Sequence, residues 1–229
     1  MAGSIITFPS NGSDGRGYLA VPESGSGPGL VVIQEWWGLN DQIKETADAF
    51  AGEGFVALAP DLYRGALTSE PDEAGKMMMA LNIERAAKDM VGAIDALGAN
   101  PAVTSKGVGV TGFCMGGGLA LWLATLRPDD VAAVVPYYGL IPWPGAQPDY
   151  SVLQAPVLGH YAANDDFANP DSVRALEAQL HELGKQAEFF IYPDADHAFS
   201  NHHRPEVFHP EHATTAWRRT IAFFRTYVR

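Results

Sequence analysis

Short, continuous apolar runs alternate along this chain with segments whose apolar residues recur every three or four positions. GLVVIQEW (29–36) is rich in β-branched residues around an unbroken apolar centre, which predicts a strand buried on both faces. A helical pattern follows from Asp41 to Ala51 and stops at the glycines of AGEG. FVALAPDLY reads as the next strand, closed by Pro60. In IERAAKDMVGAIDAL (83–97), Ile83, Ala87, Met90, Ile94 and Leu97 share one face of an amphipathic helix. GVGVTGF predicts a strand and MGGGLALWLATL an apolar helix. VAAVVPYYG, APVLGHYAA and AEFFIYP predict further strands, with a helix beginning after Pro170 and another over 211–227.

Strands alternating with helices imply an α/β protein with a mostly parallel central sheet and helices on both faces. ESGSGPG (23–29) reads as a loop between strands, and no repeat or low-complexity tract interrupts the chain, so residues 1–229 are read as a single domain. Ligands of such sheets bind beyond the carboxyl ends of the strands. The polar residues standing there are Glu35, Asp61, Cys114, Asp165 and His197.

Composition narrows the function classes. An apolar fraction of 47% with 18% charged residues is that of a folded globular chain. A net charge of −12 repels nucleic acid and anionic membranes, and it leaves the holding of any anionic substrate to particular cations. MAGSIITFPS lacks the basic start and apolar core of a secretory signal. No apolar run approaches the roughly 18 residues of a spanning helix. A single cysteine excludes an internal disulfide and a Cys-rich zinc site. The expectation is a cytoplasmic protein, a monomer or small homo-oligomer, with a small-molecule partner.

That cysteine lies in GFCMGGG (112–118), where Gly-x-Cys-x-Gly has the form of a nucleophile elbow with cysteine in place of serine. The tight strand-to-helix turn places Cys114 at a helix N-terminus, where the dipole favours a thiolate. The Met115 amide would form half of an oxyanion hole. Alone, the pattern fits two readings equally: a nucleophile, or the small buried filler that most free cysteines are. His197 follows a strand in YPDADHAFSN, and an acid follows another in PVLGHYAANDDFANP. Nucleophile, acid, base is the α/β-hydrolase order, and an imidazole oriented by an acid can take the thiol proton. His202, His203, His209 and His212 invite a metal reading, but no carboxylate stands at matched spacing, and no metal site is expected.

Glu35, in Gln-Glu-Trp-Trp-Gly directly after a buried strand, needs a partner to offset desolvation. It reads either as an ion-paired strand-end acid or as a second acid governing the thiol. The Trp36 amide sits where the second oxyanion donor of this fold class comes from, and Trp36 and Trp37 could wall an aromatic pocket.

Through QEWWG, APDLY, GFCMGGG, PYYG, PVLGHYAANDDF and YPDADHAF, the chain resembles the dienelactone hydrolase family, carboxymethylenebutenolidases of the α/β-hydrolase fold. The resemblance spans nearly the whole sequence. It implies Cys114 as nucleophile, His197 as base, and Asp165, two residues before Phe167, as acid, with Asp166 the alternative. It also implies Glu35 as the acid that pairs with the thiol. The implied reaction is attack on a lactone or enol-ester carbonyl, loss of an enolate and hydrolysis of a thioester, with no metal or organic cofactor.

The sequence departs from the family pattern where substrate is held. Members that use dienelactone grip its carboxylate with two arginines. One stands four residues after the histidine, here Asn201; the other lies in the segment after APDLY, here RGALTSEPDEAGKMMM, without a clear match. Arg64, Lys76 and Arg204 are stand-ins, and Trp37, Tyr138, Asn201 and Arg204 are the candidate substrate contacts. Met77 to Met79 suggest an apolar, adaptable lid, which points to a less charged ester or lactone. The competing readings are a non-catalytic scaffold that binds a small molecule and a broad-specificity carboxylesterase.

Overall fold

Two strands open the fold in the computed structural model, which describes residues 3–10 and 12–229. β1 (Ser4–Ser10) and β2 (Ser13–Ala20) pair antiparallel, with Ser10 opposite Ser13. The chain then alternates through β3 (Gly29–Ile33), α1 (Asp41–Gly52), β4 (Val56–Pro60), α2 (Pro71–Met79), α3 (Ile83–Gly98), β5 (Val108–Phe113) and α4 (Met115–Leu126). It continues through β6 (Val131–Tyr137), β7 (Val157–Asn164), α5 (Pro170–Glu182), β8 (Ala187–Asp196) and α6 (Pro210–Tyr227). The strands form one sheet in the order β1-β2-β4-β3-β5-β6-β7-β8. β2 meets β4 antiparallel, and everything from β4 to β8 is parallel.

The central strands are apolar throughout because both of their faces are covered. Side chains alternate faces along a strand, so Val31 and Ile33 of β3 pack with Met90 of α3 and Leu119 of α4. Leu30 and Val32 pack on the opposite side with Ile43 of α1 and Phe224 of α6. Fully burying one such side chain contributes about 1.5–3 kcal/mol, so slipping β3 by one residue would be costly on both faces. Helix starts follow from side-chain caps: Asn40, Asn82 and Asn169 accept from Ile43, Arg85 and Ser172 N–H in α1, α3 and α5.

The parallel sheet covered on both faces agrees with the expectation. The β1–β2 pair and α2 were not anticipated as elements. β1 alternates exposed and buried residues at the sheet edge, and α2 buries a single residue, Ala74.

Candidate active site

The carboxyl ends of β3, β5, β7 and β8 meet on one edge of the sheet, and each delivers one of the residues expected there. β5 ends at Phe113, and Cys114 follows as the N-cap of α4 with φ 54° and ψ −121°, a strained conformation for a side-chain-bearing residue. The turn survives because its neighbours are glycines. A Cβ on Gly112 would collide with the Gly116 carbonyl, and one on Gly116 would collide with the Gln34 carbonyl. Cys114 is 6% exposed. The Met115 N–H, at the first position of α4, has no acceptor within the helix. The Trp36 N–H donates to none of the described residues.

β7 delivers Asp165 and β8 delivers His197. The His197 Nδ1–H donates to Asp165 Oδ2 at 2.7 Å. The other carboxylate oxygen accepts from the backbone N–H groups of Phe167 (2.8 Å) and Ala168 (2.9 Å). Asp165, and not the exposed Asp166, is thus the acid that reaches His197. Burial by itself disfavours a charged imidazole. Hydrogen bonding to Asp165 and to Cys114, together with their charges, outweighs it and raises His197 to about 10.

Glu35 closes the fourth corner and is 1% exposed. Oε2 accepts from Asn201 Nδ2 at 3.0 Å and Oε1 from the Tyr138 hydroxyl at 3.3 Å. Tyr138 is hydrogen-bonded in turn to Ser200 Oγ at 2.8 Å. Desolvation raises the Glu35 carboxyl above the usual range, against the opposing pull of His197, Asn201, Arg204 and Tyr138. Gln34 beside it supports the frame: its Oε1 accepts from the Leu62 N–H at 3.1 Å, fastening the end of β3 to the loop after β4. Asp61 stands in that loop and accepts from the Tyr63 N–H.

Cys114, His197, Glu35, Trp36 and Arg204 line one cavity of about 120 Å³, together with Met78, Phe167 and Ala198. Its character is mostly apolar, with Arg204 its one guanidinium beside His197. Trp36 supplies a wall, whereas Trp37 lies edge-on behind it, at 5.0 Å between ring centroids, and faces a neighbouring groove. Tyr138 and Asn201 lie behind Glu35 as its hydrogen-bond partners. Among the stand-in cations, Arg204 reaches the cavity. Arg64 faces Asp89 at 3.7 Å, and Lys76 is exposed on α2. Of the three methionines, Met78 reaches the cavity and Met79 is 68% exposed.

Ser200 and Tyr63 were not anticipated. The Tyr63 hydroxyl donates to Met115 Sδ at 3.4 Å. In the sequence, only Tyr63's place two residues after Asp61 could have marked it.

Known proteins share this chain's family and fold. Residues 16–228 match the Dienelactone hydrolase family. The chain is 40% identical to "Protein usf" of Aquifex pyrophilus, over 99% of both chains. It is 34% identical to a "Putative carboxymethylenebutenolidase" of Aquifex aeolicus, over 99% of this chain and 100% of that one. A "Putative Dienelactone Hydrolase" crystal structure from Klebsiella pneumoniae superposes with a TM-score of 0.86 at 29% identity, covering 98% of this chain and 100% of the other. The sheet and its covering helices are those of the α/β-hydrolase fold.

Proposed function

This chain belongs to the dienelactone hydrolase family of ester-bond hydrolases, and from that premise we propose that it opens small lactones or enol and activated esters through a Cys114–His197–Asp165 triad and a thioester intermediate. The carrying observation is the Asp165–His197 hydrogen bond of 2.7 Å beside the only cysteine of the chain, itself held at a strained helix N-terminus.

Asp165 fixes the imidazole with Nδ1–H toward the carboxylate, leaving Nε2 for the thiol. Proton transfer from sulfur to Nε2 gives a thiolate–imidazolium pair, and a high His197 pKa favours that state. The thiolate attacks the carbonyl carbon. The oxyanion is received by the N–H groups of Met115 and Trp36. Collapse breaks the ring or ester C–O bond, expelling an enolate that takes its proton from the imidazolium. An enolate suits a thiol nucleophile because a thiolate is itself a good leaving group and would otherwise be expelled again. Once sulfur is acylated, its charge no longer supports the imidazolium. His197 then accepts a proton from water, and the resulting hydroxide cleaves the thioester, restoring the thiol. Glu35, buried with a raised carboxyl, stands in the same cavity as this pair.

The substrate's far end meets Trp36, Met78 and Phe167, with Arg204 the one cation besides His197. Arg204 is already engaged, its Nε donating to Glu206 at 2.8 Å. That favours small neutral lactones and esters over carboxylate-bearing ones.

The test is Cys114→Ala assayed against a panel of enol-lactones and aryl esters, with mass spectrometry for an acyl adduct on the unmodified protein. Abolished turnover and an adduct mapped to Cys114 are expected. Turnover by the variant comparable to the unmodified protein refutes the assignment. An unreactive thiol with no turnover across the panel leaves a non-catalytic scaffold as the reading.

A further inference from the structure

Away from the sheet edge, Glu45 of α1 meets two histidines that follow one another in the chain. His202 Nε2 and His203 Nε2 stand 2.9 Å and 2.8 Å from the same carboxylate oxygen, Glu45 Oε2. The imidazole planes cross at 84° with centroids 4.6 Å apart, so two nearly perpendicular ring edges converge on one point. The three donor atoms all lie within 4.8 Å of one another. We propose that Glu45, His202 and His203 form a binding site for one divalent transition-metal ion of the zinc class, with water completing its coordination.

The donor set selects the ion. Two imidazoles and one carboxylate make the three-ligand, open-position arrangement that Zn²⁺ accepts, and imidazole favours zinc, nickel and copper over magnesium or calcium. Bonds of about 2.0–2.2 Å place tetrahedral ligand atoms roughly 3.3–3.5 Å apart. The two Glu–His separations therefore have to open by about half an ångström. The side chains are 40–51% exposed and free to do so. The chain's net charge of −12 draws cations toward its surface.

Glu45 and His202 stand at the rim of a chamber of about 290 Å³ that Gln42 lines as well. Gln42 lies one helical turn before Glu45 and is 2% exposed. Its Nε2 donates to Thr46 Oγ1, whose own proton goes to the Gln42 backbone carbonyl. Gln42 Oε1 is left buried without a donor. The sequence showed no such site, because its carboxylate lies 157 residues before the first of the two histidines. His209 and His212 belong elsewhere: their rings stack at 3.9 Å, and His212 Nε2 reaches the Pro193 carbonyl.

An ion here would clamp α1 to the segment that carries Asn201 and Arg204. Asn201 ties that segment to the active site, its Oδ1 accepting from the His203 N–H at 3.0 Å while its amide donates to Glu35.

The experiment is a Zn²⁺ titration by calorimetry of untagged, full-length protein carrying Cys114→Ala, so that the thiol contributes no uptake. One saturable site is expected, with Co²⁺ giving the visible absorption of a tetrahedral nitrogen–oxygen site. Losing even an outer partner of a metal ligand costs about 10–100-fold in affinity. Glu45→Gln and His203→Ala, each added to that background, should therefore weaken binding by about 100-fold or more. His212→Ala should bind as before, and unchanged circular dichroism would establish that the variants fold. No saturable uptake, or equal uptake in the Glu45 and His203 variants, overturns the proposal.

Discussion

Two histidines of neighbouring strands, one inside β7 and one just past β8, have opposite fates. His160 in β7 is fully buried among neutral groups: the Tyr192 hydroxyl stands 3.0 Å from Nδ1 and Thr220 Oγ1 3.1 Å from Nε2. Arg219 Nη1 donates to the same tyrosine oxygen at 3.0 Å, bringing a positive charge to the far end of that chain. Desolvation first, and Arg219 second, lower His160 to about 3. His197, just past β8, also pays for burial, yet its anionic neighbours raise it to about 10. Burial therefore does not decide whether an imidazole is charged; the sign of its neighbours does. One histidine is held neutral; the other is the proton carrier of the proposed mechanism.

The largest break in this contrast comes from removing the anion. Asp165→Asn should lower kcat by about 10⁴-fold, because the imidazole loses both its orientation and its support. The His197 titration followed by NMR should move down toward that of His160. Activity within tenfold of the unmodified protein would place the acid elsewhere.

His160 makes a stability prediction. The unfolded imidazole titrates near 6.5 and the folded one near 3, so between these values protons bind the unfolded chain more tightly. The contribution of His160 is thus fully present above pH 6.5 and lost as pH falls toward 3, at up to about 1.4 kcal/mol per pH unit. His160→Gln should flatten that stretch of a urea-unfolding series, and an unchanged slope would contradict a neutral His160.

Glu35→Gln tests whether a second carboxylate in the same cavity as His197 acts on the chemistry. The raised Glu35 carboxyl should set the acid limb of kcat/KM, and the variant should keep reduced turnover with that limb moved to lower pH. A profile of unchanged shape would assign Glu35 to structure alone. The smallest effect belongs to Arg204→Gln. With its charge shared by Glu206, it should change KM for neutral lactones by no more than about fivefold.

How much of this was legible follows from how far apart the partners lie. β3 and β4 showed themselves because strands covered on both faces have no polar positions, and α3 because its apolar stripe is long. β1 and β2 escaped because an edge pair buries only alternate residues, and α2 because one buried alanine makes no pattern. Cys114, Asp165 and His197 could be ordered because each directly follows a strand. The partners of Glu35 could not, since Tyr138 and Asn201 lie 103 and 166 residues away and no local spacing records a contact made by the sheet.

The glycine-packed turn at Cys114 has one more consequence, for exchange and heat. The Cys114 N–H donates to the Tyr137 carbonyl at 3.1 Å, and the Gly117 N–H to the Cys114 carbonyl at 2.9 Å. The first joins the end of β5 to β6 and opens only when those strands part, so the Cys114 amide should be among the last in the chain to exchange with deuterium. The proposed nucleophile then belongs to the slowest-opening part of the molecule. Thermal loss of activity and thermal melting should accordingly coincide in a single transition, with no earlier step in which the fold persists and the nucleophile is misaligned.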